Sequence, residues 1–203
     1  ENIRVINAPA VFYLDSCSNV TVDAVSGSTS NVAANAMHFN SCAVVSVDDV
    51  MLITTAGLQP IDPITAYPDA PVPGNVFIRI TGTINDTYFF KPGVLCNRYH
   101  RGFYATCDAG QSLLNIWLDS CVLDYSYDKG VFIENLGSSV ANIRILDLYA
   151  QAAQGVGVHV KTTGGYTMNV TIVRPNICFS GAHGIFIESE TGGINNVNTI
   201  IDD

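Results

Sequence analysis

The chain has 203 residues, of which 48% are hydrophobic and 13% are charged, and its formal net charge is −9 at pH 7. This negative charge disfavours nucleic acids and anionic membranes as partners, because both repel an acidic protein. No apolar run approaches the roughly 20 residues of a membrane-spanning helix. We therefore expect neither nucleic-acid binding nor membrane insertion. A neutral glycan is compatible with this composition, whereas an acidic glycan requires local cations such as Arg101, Lys129 or Arg144.

The N-terminal part of the chain repeats a short alternating pattern after 25 residues. Residues 19–22 (Asn-Val-Thr-Val) align with residues 44–47 (Val-Val-Ser-Val), and Asp23 and Val25 are followed by Asp48 and Val50 at the same offset. Alternation of apolar and polar residues predicts β-strands with one buried face.

The six cysteines indicate reduced thiols. They show neither a Cys-x-x-Cys pair nor a histidine and cysteine cluster at zinc-binding spacing. Cys17 and Cys42 occupy equivalent positions of the 25-residue repeat, so we expect them to stack in neighbouring coils. Reduced cysteines that pack as small hydrophobic residues fit a protein that folds in a bacterial cytoplasm.

Two segments interrupt the pattern. Residues 54–74 contain five prolines, which lack the amide hydrogen that a central strand donates, so this segment is predicted to leave the body as a loop. Residues 75–78 are predicted to open the next coil, with residues 102–105 as its second strand. Residues 85–101, rich in Tyr, Phe, Cys and Arg, lengthen this coil. We expect both segments to be insertions on one face of the molecule.

The C-terminal half repeats with a period of 27 residues. The repeated positions are Asn115, Asn142, Asn169 and Asn196, and likewise Gly130, Gly157 and Gly184. Each unit reads Asn-Φ-x-Φ, a polar connection and Gly-Φ-x-Φ, where Φ is apolar. Two short strands cannot bury an apolar face alone, so the units must stack to form a continuous core. The sequence predicts an all-β solenoid, a parallel β-helix of about eight coils that spans 1–203 as a single domain.

The alternation also predicts which side chains face solvent. Between the two apolar positions of the second strand lie Tyr13, His38, Tyr104, Phe132, His159 and Phe186. Two residues later lie Asp15, Asn40, Thr106, Glu134, Lys161 and Glu188, and the first strand presents Trp117, Arg144 and Thr171. Such a column of rings beside polar groups suits a subunit interface, a sugar-binding surface, or a stacking ladder that a loop covers.

Two carboxylates in this surface are candidates for acid–base catalysis. Glu134 and Glu188 lie two coils apart, roughly 9–10 Å by strand spacing, which is near the upper end of the ~6.5–9.5 Å separation in inverting glycosidases. Lys161 lies between them, however, and a charge-compensated stack is the simpler interpretation. Asp119 closes a first strand and Asp147 lies just past the next one, so both are further candidates for general acid and base.

The strand and turn pattern resembles the pectin-lyase-like right-handed parallel β-helix, which pectinases, polysaccharide lyases and bacteriophage tailspikes share. The resemblance covers nearly the whole chain and implies a right-handed, single-stranded β-helix. Residues 47–51 resemble the Asp-Asp motif of polygalacturonases, and residues 182–185 resemble their Gly-His-Gly motif. That subgroup places the two motifs on adjacent coils, whereas Asp48 and His183 are 135 positions apart here, which argues against polygalacturonase activity.

The chain begins and stops within strand-like segments and shows no cap, so we expect it to be a fragment of a longer chain. With the reduced cysteines, low charge and aromatic column, it is similar to a segment of a bacteriophage tailspike or tail fibre. That resemblance implies a homotrimer in the virion tail that binds, and in many such proteins depolymerises, a bacterial capsule or O-antigen polysaccharide. The alternatives are a secreted monomeric polysaccharide hydrolase or lyase and a non-catalytic structural stalk.

The tailspike interpretation yields a specific set of expected site residues. The candidate substrate-binding residues are Trp117, Tyr104, Phe132, His159, Phe186, Arg144 and Lys161. The candidate catalytic residues are Glu134, Glu188, Asp119 and Asp147. Neither a metal nor a cofactor is expected.

Overall fold

The computed structural model describes residues 3–6, 12–29, 35–54, 76–82, 84–97, 99–106, 111–136, 141–152, 155–163, 167–190 and 196–202. These residues form 19 β-strands and no helix. In chain order the strands are β1 (Ile3–Ile6), β2 (Phe12–Asp15), β3 (Ser18–Thr29), β4 (Met37–Asn40), β5 (Ala43–Thr54), β6 (Val76–Thr81), β7 (Ile84–Phe90), β8 (Leu95–Asn97), β9 (Arg101–Thr106), β10 (Ser112–Asp119), β11 (Val122–Ser126), β12 (Lys129–Asn135), β13 (Ala141–Leu146), β14 (Tyr149–Ala152), β15 (Val156–Thr162), β16 (Thr167–Val173), β17 (Asn176–Cys178), β18 (Ile185–Ser189) and β19 (Asn196–Asp202).

The strands form two parallel sheets. Sheet A has 12 strands, with the path β17-β14-β11-β8-β5-β7-β10-β13-β16-β19 and with β3 and β1 joined to it through β5. Sheet B has seven strands in the order β18-β15-β12-β9-β6-β4-β2. Neighbouring strands in each sheet belong to successive passes of the chain, so the molecule is a parallel β-solenoid. The predicted all-β solenoid fold is confirmed.

The predicted number of eight coils is wrong, because the structure has about five regular turns. From β2 onward the chain places one strand in sheet B and then continues in sheet A. Before β6, the strands β3 and β5 are continuous 12-residue strands. Each of them bends at a residue of positive φ, Ala24 or Asp49, instead of dividing into two strands.

The predicted register of the C-terminal repeats is confirmed for three of its four units. Asn115 pairs with Asn142, and Asn142 pairs with Asn169. The fourth unit was predicted wrongly, because Asn196 lies opposite Thr167 and it is Asn198 that faces Asn169. The chain between β18 and β19 is therefore two residues longer than the repeat predicts. Since strand faces alternate with period two, a shift of two residues preserves the alternation.

The strand at Val76–Thr81 lies in a different sheet from the one that the sequence predicted. We expected it to be the first strand of a coil whose second strand contains Gly102, but β6 is the direct neighbour of β9 in sheet B. Residues 85–101 contain β7 and β8, which pair with β10 and β11 of the next turn. Beyond Thr54, the proline-rich segment lies outside the described residues.

The core lies between the two sheets and is built from side chains that alternate along each strand. Its middle is aromatic, with Tyr88, Phe90 and Phe103 at most 1% exposed, and the ring centroids of Phe90 and Phe103 are 5.2 Å apart. The Tyr88 hydroxyl donates a 3.0 Å hydrogen bond to the Cys42 carbonyl oxygen, so this buried polar group is satisfied. Towards β16 the core becomes aliphatic. Each such side chain contributes about 1.5–3 kcal/mol to stability on burial.

Two columns of equivalent residues recur in successive turns: a ladder of asparagine side chains and a row of corner residues with positive φ. The Asn142 amide donates to the Asn115 side-chain oxygen at 3.1 Å, and the Asn169 amide donates to Asn142 at 2.9 Å, which forms a ladder at the start of β10, β13 and β16. At the other end of these strands the chain turns sharply through residues of positive φ. These corner residues are Ser120, Asp147 and Arg174, with φ of 52°, 47° and 48°.

The repeated glycines of sheet B occupy places where neighbouring backbones leave no room for a side chain. A Cβ atom built on Gly130 lies 2.6 Å from the carbonyl oxygen of Gly157, and one built on Gly102 lies 2.7 Å from that of Gly130. Backbone atoms cannot rotate away from such contacts as a flexible side chain can. A Cβ atom on Gly184, by contrast, meets no described atom closer than 3.9 Å.

We predict that Gly130→Ala lowers the free energy of unfolding by about 1–3 kcal/mol, the usual cost of overpacking. The matched variant Gly184→Ala should change it by less than about 0.5 kcal/mol. Urea unfolding followed by circular dichroism measures both values. Equal stability of the two variants would contradict the steric explanation of this glycine column.

Candidate functional site

The outward column of sheet B contains seven residues in direct register. In strand order they are Tyr13, His38, Arg79, Tyr104, Phe132, His159 and Phe186. The sequence predicted every ring in this column but missed Arg79, because β6 was assigned to the other sheet. The alternation of Ile78, Arg79 and Ile80 is the signal that was available, although no glycine precedes it.

Four of these rings lie on one another along the solenoid: three stack face to face, and Phe186 is tilted by 40° against His159. The centroid separations are 5.3 Å for Tyr104–Phe132, 4.7 Å for Phe132–His159 and 5.0 Å for His159–Phe186. The rings cover one another so well that Phe132 and His159 are only 9% and 8% exposed, whereas the sequence predicted that they face solvent. Tyr104 and Phe186 remain half-buried. The centre of this ladder therefore presents edges rather than open ring faces.

Cations cover the middle of the ladder. The guanidinium carbon of Arg101 lies 5.2 Å from the Tyr104 centroid, and the Lys129 ammonium lies 4.9 Å from the Phe132 centroid, within the range of cation–π attraction. Both cations also pair with Asp128, at 2.8 and 3.1 Å. Burial alone would raise the pKa of Asp128, but its hydrogen bonds from these two cations outweigh burial and hold that pKa below its usual value.

The candidate carboxylates on sheet B are engaged with basic groups. The Lys161 ammonium lies 3.6 Å from Glu134 and 2.5 Å from Glu190, and the His159 Nε2 lies 3.0 Å from Glu188. The hydrogen bond to Glu190 raises the pKa of Lys161. Lys161 therefore compensates the charges of Glu134 and Glu190, while Glu188 has a hydrogen-bond partner in His159.

The outward face of sheet A carries an exposed ring beside a charged side chain. Trp117 is 40% exposed, and Phe89 packs edge-on against it with centroids 4.8 Å apart. On the next strand Arg144 lies with its guanidinium carbon 5.8 Å from the indole centroid. A depression of about 230 Å³ opens here, and Leu118, Asp119 and Leu146 complete its lining. We call this the Trp117 depression.

The charged groups in and near the Trp117 depression differ in whether a described residue of opposite charge already binds them. Asp119 accepts a 2.9 Å hydrogen bond from the Ser120 hydroxyl, and Arg144 has no ion pair with any other described residue. Nearby, Arg174 binds both carboxylate oxygens of Asp147 at 2.7 Å, and these hydrogen bonds lower the pKa of Asp147. Asp119 and Arg144 are therefore open to a ligand, while Asp147 is held by Arg174.

The two fragments that resemble polygalacturonase motifs lie on different sheets. Asp48, in β5 of sheet A, pairs with Lys91 at 3.6 Å. His183 precedes β18 of sheet B and stacks on Phe186, with ring centroids 5.3 Å apart. Within the described ranges, no group of three or more His, Cys, Asp or Glu side chains has the geometry to hold a metal ion.

Comparison of the chain with protein-family models, with characterised proteins and with solved structures gives no match. In the part of the chain that the structure describes, no helix has the length and apolar character needed to cross a membrane.

Burial of the histidines predicts a pH dependence of stability. Burial is the largest cause that lowers the pKa of His159, and of His38 and His100, below the usual value of 6.5. Below about pH 6.5 the unfolded chain therefore binds protons that the folded state excludes, and stability falls as the pH falls.

We predict that the free energy of unfolding decreases between pH 7 and pH 5, and that His159→Phe reduces this decrease. Phenylalanine continues the ring stack and cannot titrate. Urea unfolding at both pH values measures the difference for the wild type and the variant. If the variant retained the full pH dependence of the wild type, His159 would not contribute to it.

Proposed function

We propose that the chain is the glycan-binding β-solenoid of a bacteriophage tailspike or tail fibre, and that the Trp117 depression binds a bacterial capsule or O-antigen polysaccharide. One observation carries this proposal. An indole is held in an exposed position by the edge of Phe89, next to the Asp119 carboxylate and to the guanidinium of Arg144, which no described carboxylate pairs with.

These groups match what a sugar ring offers. One face of a pyranose carries C–H groups that pack on an aromatic ring, and the indole provides a large rigid surface for them. A guanidinium donates up to five hydrogen bonds and a carboxylate accepts several, so Arg144 and Asp119 together suit the hydroxyl groups at the edge of the ring. Because the parallel strands repeat every ~4.8 Å, neighbouring turns present further polar groups along a bound chain.

The ion pairs favour binding over cleavage at the described residues. Hydrolysis of a glycoside needs a carboxylic acid and a second carboxylate on opposite sides of the bond. Glu134 and Asp147 each have a cationic partner, Lys161 and Arg174, and Glu188 is hydrogen-bonded to His159. Asp119 is the exception among the four candidates, and one carboxylate does not complete an acid and base pair. The alternative of a secreted polysaccharide hydrolase therefore has weaker support, while the alternative of a lyase, which cleaves by elimination, is unaffected.

We predict that Trp117→Ala lowers the affinity for the cognate surface polysaccharide by about fivefold or more, because a nucleic-acid base stacked on an aromatic ring loses about 1–3 kcal/mol when the ring is removed and a stacked pyranose should lose a similar amount. Phe179→Ala is the matched control, since Phe179 is also an exposed ring, 58% accessible, but lies after β17. Glycan-array screening identifies the ligand, and titration calorimetry measures the affinities.

Equal binding by Trp117→Ala and Phe179→Ala would place the glycan elsewhere. Light scattering on the protein tests the proposed homotrimer, since a monomer favours the secreted enzyme. Release of new reducing ends from the bound polysaccharide tests depolymerase activity. A folded protein that binds no bacterial polysaccharide would instead support the structural stalk.

A further inference from the structure

Cations are concentrated on the outward face of sheet B. The chain as a whole has 9 Lys and Arg against 18 Asp and Glu. Arg79, Arg101, Lys129 and Lys161 nevertheless lie together on the strands from β6 to β15. Lys161 is compensated by Glu134 and Glu190. The other three cations remain as a group, which stands out in an acidic protein.

This group carries more positive charge than the surrounding carboxylates compensate. Arg101 and Lys129 share the carboxylate of Asp128, and no described carboxylate pairs with Arg79. Three cations therefore face one carboxylate in the described part of the chain. Pairing two cations with one acid leaves hydrogen-bond donors on both cations available to a further anion.

Arg79 is held in place by a neighbouring ring, but one of its hydrogen-bond donors has no acceptor among the described residues. Its Nε atom is buried and has no hydrogen-bond partner among the described residues, a state that is costly for a donor on a charged group. Its guanidinium carbon lies 6.0 Å from the Tyr104 centroid, and that of Arg101 lies 5.2 Å from the same ring. The Tyr104 ring thus fixes the positions of two guanidinium groups on adjacent strands.

We infer that Arg79, Arg101 and Lys129 form a second ligand site, which binds an oxyanion substituent, carboxylate or phosphate, of the polysaccharide. The inference rests on the proposed function in taking a polysaccharide as the carrier of that anion. It adds that the glycan is acidic and that its charge is recognised on sheet B, away from the Trp117 depression. Guanidinium groups suit this role, because their paired donors match the two oxygens of a carboxylate or phosphate.

The test uses titration calorimetry with three saccharide probes of equal length: a hexuronic acid trimer, a hexose trimer that bears a phosphate, and the unsubstituted hexose trimer. We expect the wild-type protein to bind at least one anionic trimer, and Arg79→Met to weaken that binding by at least about tenfold, since a hydrogen bond to a charged group is worth about 1.5–3 kcal/mol. Whichever anionic trimer binds identifies the source of the oxyanion.

Lys91→Met is the matched control, because it also removes one positive charge but lies on sheet A beside Asp48. It should change the affinity for the anionic trimers by less than about twofold, which excludes a general effect of net charge. Trp117→Ala removes the ring of the first site and lowers the affinity that all three trimers share, but the preference for the anionic over the neutral trimer should remain. Urea unfolding of Arg79→Met checks that the variant is folded, and a stability no lower than that of the wild type is expected since the buried Nε has no partner to lose.

The outcomes separate this inference from the proposed function. Equal affinities of Arg79→Met and Lys91→Met for the anionic trimers would overturn the inference. So would binding of the neutral trimer through Trp117 with no preference for either anionic trimer, a result that leaves the proposed function intact. Anion-dependent binding that needs Arg79 but not Trp117 would support the second site even if the Trp117 depression bound nothing.

Discussion

The structure depends on one constraint, the parallel stacking of turns in register at a spacing of about 4.8 Å. Every residue then lies between its equivalents in the turns before and after it. Side chains that can hydrogen-bond to their own kind are favoured at such positions. The amide ladder of Asn115, Asn142 and Asn169 is an example. The same spacing brings backbones so close at Gly130 that a methyl group has no room.

Stacking also decides what the charged columns can do. Like charges in adjacent turns repel each other, so acids in a column alternate with bases or find partners in the next column. Lys161 between Glu134 and Glu190, and Arg174 on Asp147, are examples. Because the acids are paired in this way, the cations that pair with no described carboxylate become the informative residues. Arg144 on sheet A and Arg79 on sheet B are the two that carry the functional proposals.

The aromatic residues show how stacking and exposure compete. Rings that lie in one column at strand spacing cover each other's faces, and Phe132 and His159 are nearly buried although they point away from the core. Trp117 instead lies between Phe89 and Arg144 in its column, and the edge-on contact with Phe89 leaves much of the indole accessible. A column of mixed residues therefore suits ligand binding better than a continuous ring stack.

The sequence by itself determined the all-β solenoid, its parallel strands and most of the ring column, because strand alternation and the 27-residue repeat are local patterns. Only the tertiary structure decided the number of turns, the sheet to which β6 belongs, and the pairing of Asn169 with Asn198. These depend on how far each connecting segment travels, and segments of different length carry no periodic signal. The position of Arg79 beside Tyr104 likewise follows from the register of β6 with β9, and no sequence motif marks it.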